Sequence, residues 1–441
     1  MDQNIYDNYV AILKSELVPA LGCTEPIAIA YASAKAVELL GCQPTHIEML
    51  CSGNIVKNVQ GVTVPNSGGL KGIEAAAILG ALGGNASREL EVLEDISPSV
   101  KEKTAELVGT GYCNSTLAKE VENLYILATV WFENHNAEVE IKNKHTNIVR
   151  MAVDGKEVYH CDTEMKSIEK FGDKRLLNIH DILEFADTVN IEDIRDLLDN
   201  QIDMNTAISD EGLTGDYGAC VGKTLLQTYG DDIKIRAKAR AAAGSDARMS
   251  GCSLPVVINS GSGNQGMTAS LPVIEYAKEI GVTKDKLYRT LVVSNLTALH
   301  QKKYIGNLSA YCGAVSAACG SGAAITYLYD GDYDEVSRTI INTIANVGGI
   351  VCDGAKPSCA AKIASAVDAA IMAHYLSVNH HVFEDGEGLV QKDVERTIRN
   401  IGEVGREGMK STDIEILNIM LSKNVEKTEN NYQAVESSTV C

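Results

Sequence analysis

The chain has 441 residues, with 59 acidic side chains against 39 basic ones and a net charge of −20. At 45% hydrophobic and 22% charged it has the composition of a globular protein with a sizeable core, which excludes wholesale disorder, and its length predicts two or three domains. The acidic balance, with no basic stripe to reverse it, argues against nucleic acid and anionic membranes as partners, and no apolar run reaches the roughly 18–20 residues that a spanning helix needs.

The opening segment carries two Asp and no basic stretch ahead of its apolar residues, so a cytoplasmic protein without an export leader is expected. Along the chain, Ile5, Tyr9, Ile12, Leu13 and Leu17 recur at helical spacing, and Pro19 stops that helix. Gly22-Cys23-Thr24-Glu25-Pro26 follows, then an alanine-rich helix from about Pro26 to Leu40, closed by Gly41. A strand is predicted over His46–Cys51 and a helix over Ile73–Leu82. Between Tyr125 and His160, β-branched content, alternation and turn residues predict an antiparallel sheet. After about residue 178 strand signals almost vanish, and Gly/Ala-rich helices run to about Lys423. The expected fold class is α+β, with a mixed domain carrying the sheet over 1–200 and a mainly helical domain over 201–423. Residues 424–441 are polar with scarcely an apolar face, and a disordered tail is expected there.

One Trp and four Phe against 38 Gly predict helices that approach closely. Twelve Cys are too scattered for a disulfide scaffold, so metal binding or catalysis is the question they raise. In the C-terminal half, Cys312 and Cys319 stand two helical turns apart and should share a face, while Cys352 and Cys359 flank Asp-Gly-Ala-Lys-Pro-Ser, a loop signature. Ser358 is placed to cap the next helix, with Cys359 in its first turn. Structural zinc prefers gaps of two to four residues, which neither pair has, whereas iron–sulfur clusters tolerate wider spacings; an inert-core role for these cysteines remains the alternative. Cys23 precedes a helix N-terminus, which should lower its pKa; it is either a reactive or ligating thiol or a buried turn cysteine. The run Asn259-Ser260-Gly261-Ser262-Gly263-Asn264-Gln265-Gly266 offers backbone N–H groups and small donors that suit a carboxylate, and matches neither the phosphate-loop nor the dinucleotide pattern. A tight turn between packed helices is the other reading of this run and of Ser52-Gly53-Asn54.

Gly-Cys-Thr-Glu-Pro at 22–26, Ser-Gly-Asn at 52–54, the loop 259–266, Cys312-Gly and Cys352-Asp-Gly-Ala-Lys together resemble the L-cysteine desulfidase family, over residues 1–423. That family is related through its C-terminal half to the alpha chain of iron–sulfur L-serine dehydratases. The resemblance implies a [4Fe-4S] cluster held by Cys312, Cys352 and Cys359, with one iron open, and leaves Cys319 in the core. It implies a carbon–sulfur lyase that eliminates sulfide from L-cysteine without redox change, giving pyruvate and ammonia, with Cys23 as base or further ligand. Asn54 and Asn264 would hold the substrate carboxylate. The alternatives are L-serine dehydration on the same cluster, a pyridoxal-phosphate lyase whose lysine no pattern locates, and a non-enzymatic zinc or redox-switch protein. A small amino acid is the expected partner, homo-oligomer formation is left open, and Cys441, ending a flexible chain, is a conceivable internal occupant of a soft-ligand site.

Overall fold

The computed structural model describes residues 1–161, 171–306 and 308–421, so the expected tail 424–441 and its Cys441 lie outside the described residues. The first helix, Gln3–Glu16, is capped by Asp2, whose carboxylate accepts from the Asn4 amide, and buries Tyr9, Ile12 and Leu13. Pro19 ends it by opening a three-residue strand, β1 (Pro19–Leu21), too short for any alternation signal. The alanine-rich helix is Thr24–Leu40 and is buried on nearly every side. It packs on Ile73–Gly83, where the backbones come so close that a Cβ on Gly80 would stand 2.3 Å from the Ala30 carbonyl oxygen.

These helices cover a six-stranded sheet in the order β3-β2-β4-β5-β6-β7, from β2 (His46–Cys51), β3 (Cys113–Leu117), β4 (Tyr125–Phe132), β5 (His135–Lys142), β6 (Ile148–Val153) and β7 (Lys156–His160). The β4–β7 meander is antiparallel as expected, and β2 joins it beside β4. β3 was not foreseen: it pairs parallel to β2, and its Cys-Asn-Ser-Thr-Leu sequence carries no apolar alternation. β2 is followed directly by a short helix, Gly53–Gln60.

From Ile179 onward, among the described residues, the regular elements are helices except for the strand β8 (Pro255–Val257). At the centre lies Gly313–Leu328, buried along almost its whole length between Lys284–Ile305, Tyr333–Val347 and Cys359–Val378. Its Gly and Ala residues permit this, since a side chain at Gly320 would meet the Ser294 carbonyl. The 200/201 boundary falls inside the helix Arg195–Thr214. One hydrophobic core contains Ile27 and Ile126 together with Leu296 and Ile363, and β1 pairs antiparallel with β8, so sheet and helical regions are joined. Among the described residues no helix is long and apolar enough to cross a membrane. The packing predicts that Gly80→Ala forces Thr24–Leu40 and Ile73–Gly83 apart and lowers stability by about 1–3 kcal/mol, read from the urea midpoint.

Candidate functional site

Two loops bring the C-terminal cysteines together. Tyr311 and Val351 form an isolated antiparallel bridge, flanked by hydrogen bonds from Cys312 N to Ile350 O (3.0 Å) and from Cys352 N to Ala310 O (2.6 Å). Cys312 is thereby fixed at the N-cap of Gly313–Leu328. Cys359 opens the helix Cys359–Val378, but the Ser358 side chain makes no capping bond, contrary to expectation. Instead Asp353 closes the loop by pairing with both Lys356 and Lys362; burial opposes its charge, yet the two lysines hold its carboxyl down at about 2. Gly354, with φ +97°, lies so close to the Lys57 carbonyl that no other residue fits. Lys57 is almost fully buried; its ammonium pairs with Asp413 and lies 3.4 Å from the Cys352 carbonyl.

Facing these loops is the start of Thr24–Leu40. Cys23 is its N-cap, and the Thr24 hydroxyl donates to the Gly261 carbonyl at 2.8 Å, tying the Gly-Cys-Thr-Glu-Pro motif to the glycine-rich loop. The expected lowering of the Cys23 pKa does not occur: burial and the adjacent Glu25 carboxylate push it well up, and the thiol donates to Glu25 Oε2 at 3.1 Å. Glu25 also accepts from Asn58 at 3.2 Å and stands 3.8 Å from His145 Nε2, an ion-pair separation longer than a hydrogen bond. Burial would raise its pKa, but His145, Cys23 and Arg248 outweigh that and hold it at about 2.

Cys23, Cys312, Cys352, Cys359 and Asn264 all line one cavity of about 90 Å³, in keeping with a small ligand. Asn54 does not: it borders a separate cleft and donates to Asp413 at 2.7 Å, while Asn58, one turn on, reaches the cavity. Cys319 is not in the lining: its sulfur lies in the core 3.9 Å from the Ile340 carbonyl, whereas Cys312, at the N-cap of the same helix, reaches the cavity.

Glu25, Asn58, His145, Arg248 and Lys302 also line the cavity, and their part in it is not legible from the motifs. Glu25 lies inside the Gly-Cys-Thr-Glu-Pro motif, and Arg248 and Lys302 are charges on helical faces that are otherwise apolar or small, which marks them in the sequence. His145 sits in the β5–β6 turn and carries no such mark. Lys302 is buried, its ammonium forms no hydrogen bond or ion pair with a described residue, and its pKa is brought down to about 8 by burial, against the raising influence of Cys352 and Cys312.

Burial, then repulsion from Cys352 and Cys359, pushes the Cys312 thiol up to about 12; burial and Cys352 likewise raise Cys359. The three thiols are thus near enough to repel as thiolates, yet they do not form a single-ion set. Among the described residues only His180, Asp181 and Glu184, at the start of a surface helix, bring three ligand atoms all within 4.8 Å. A donor set wider than one ion's sphere fits a polynuclear cluster better than zinc. Because the buried Lys57 has Asp413 as its counter-ion beneath the Cys352 loop, Asp413→Ala should cost about 3–5 kcal/mol in thermal unfolding and speed amide exchange over 350–356.

A family model for the serine dehydratase alpha chain matches residues 87–418, reaching well into the sheet region and not only the C-terminal half. A UPF0597 protein of Lachnoclostridium phytofermentans is 52% identical over 423 residues, covering 95% of this chain and 100% of that protein. A second, from Desulfitobacterium hafniense, is 52% identical over 418 residues and covers 95% and 97%; a third, from Treponema denticola, is 45% identical over 427 residues and covers 96% and 99%. By the extent of these matches, the chain belongs to the serine dehydratase alpha chain family.

Proposed function

We propose that the protein is a lyase that removes the β-substituent of a small L-amino acid, with L-cysteine as substrate and sulfide, pyruvate and ammonia as products. The observation that supports this most is the meeting of Cys312, Cys352 and Cys359 with Cys23 and Asn264 around one small cavity. In this reading Cys312, Cys352 and Cys359 hold a [4Fe-4S] cluster with one iron open. When bound, that group supplies Lewis acidity toward the leaving sulfur.

The chain's own residues then orient the substrate and move its proton. Asn264, on the glycine-rich wall, orients the carboxylate end. Cys23 takes the α-proton at Sγ as the carbon–sulfur bond breaks and its electron pair leaves with sulfide; the aminoacrylate formed tautomerises and is hydrolysed. Cys23 first loses the proton it holds toward Glu25 to solvent, with Arg248 as the nearby cation that favours the thiolate, and its raised pKa then makes that thiolate a strong base. The walls around the buried Lys302 and Tyr311 limit the space for water.

L-serine dehydration in the same cavity is the second reading, favoured by the family match. Anaerobic assays of sulfide and pyruvate with each amino acid decide between them, and turnover of L-serine alone would overturn the first. Protein isolated without oxygen should be brown with about four irons per chain. Cys312→Ser or Cys352→Ser should lose the iron; a colourless, fully active preparation would overturn the cluster. Cys23→Ser should keep the iron and lose about 10²–10⁴-fold in turnover, because a serine hydroxyl cannot replace a thiolate base. Loss of iron from that variant would make Cys23 a ligand.

A further inference from the structure

Arg248 stands at the end of the helix Ile233–Met249 and is 2% exposed. A guanidinium taken out of water costs several kcal/mol unless an acceptor meets it. Its one hydrogen bond runs from Nη1 to the Asn264 side-chain oxygen, at 3.1 Å. Nε and Nη2, both buried, have no acceptor among the described residues, and no carboxylate pairs with the group. These two nitrogens form the edge of the guanidinium that binds both oxygens of a carboxylate in parallel. The neighbouring residue leaves room for it: a Cβ on Gly263 would come within 2.4 Å of Nε and 2.9 Å of Cζ. Gly263 opens the helix Gly263–Ile280, whose N-cap Ser262 offers no side-chain acceptor to the first turn, so that end stays favourable to an anion. Arg248 lines the same cavity as Cys23, Cys312 and Cys352.

We propose that Arg248 is the carboxylate receptor of this cavity, its Nε–Nη2 edge taking both oxygens of a small amino acid while Asn264 holds the guanidinium from the other end. The assignment rests on the reading of the cavity as a substrate site and deepens it. It favours ligands with a free carboxylate over the corresponding amides and esters, and makes Asn264 a positioning residue that acts through Arg248.

The probes are 3-mercaptopropionate and 3-mercaptopropionamide, which share the thiol and carbon chain and differ in a charged carboxylate against a neutral carboxamide. Calorimetric titration into anaerobically prepared full-length protein should give about 10- to 100-fold tighter binding of the carboxylate. Arg248→Met should abolish that preference while leaving the affinity for the amide unchanged. Arg248→Lys, which keeps the charge without the parallel pair of donors, should retain part of it, and Gly263→Ala should reduce it by displacing the guanidinium. Equal affinity of the unmodified protein for the two probes overturns the assignment, as does a carboxylate preference that survives Arg248→Met or Arg248→Lys undiminished. Neither probe has an amino group or undergoes elimination, so the result does not depend on turnover. A preference for the carboxylate without sulfide or pyruvate formation from L-cysteine or L-serine would keep the receptor and remove the lyase reading.

Discussion

The Tyr311–Val351 bridge, with Cys312 and Cys352 bonded to Ile350 and Ala310 on either side of it, is the contact on which the site depends. It joins segments some forty residues apart and sets the spacing of two thiols through backbone atoms, leaving both side chains free. The helices leading away from Cys312 and Cys359 then pack side by side through Gly and Ala. Helices this closely packed do not deform continuously, so the geometry of the thiols inherits the rigidity of the core.

The cavity is electrostatically incomplete in the protein alone. Burial resists the ionisation of Cys23, Cys312 and Cys359, while among the described residues neither the Arg248 guanidinium nor the Lys302 ammonium forms an ion pair with a carboxylate. Glu25 is the exception, an acid kept charged by His145, Cys23 and Arg248. Such an arrangement is costly unless it is matched by ligands of two kinds, a positive centre toward the thiols and an anion toward the guanidinium and ammonium.

Remote elements serve the same site. The β5–β6 turn carries His145 into the helical region, and the short helix after β2 carries Asn58 to Glu25. The same short helix presents Lys57 under the Cys352 loop, where Asp413 of the helix Lys410–Met420 compensates it. Sheet, central helices and C-terminal helix therefore each contribute a wall or a support.

What was legible from the sequence was whatever local chemistry dictates. The helix after Cys23, the β4–β7 meander and the change to helices near residue 178 follow from periodicity and from the placement of Pro and Gly. Three-residue strands such as β1 and β8 were not legible, because they exist only through pairing with each other. The cysteine and glycine motifs marked the segments that meet, yet spacing alone misjudged their surroundings. Cys23 sits at a helix N-terminus as expected, but burial and Glu25 outweigh the helix dipole. Asn54 and Asn58 differ by one turn of the same helix, and only tertiary packing turned the first toward Asp413 and the second toward Glu25. Arg248 shows the division: its identity in a run of small residues is a property of the sequence, whereas its unpaired edge results from what the folded chain leaves out of its reach.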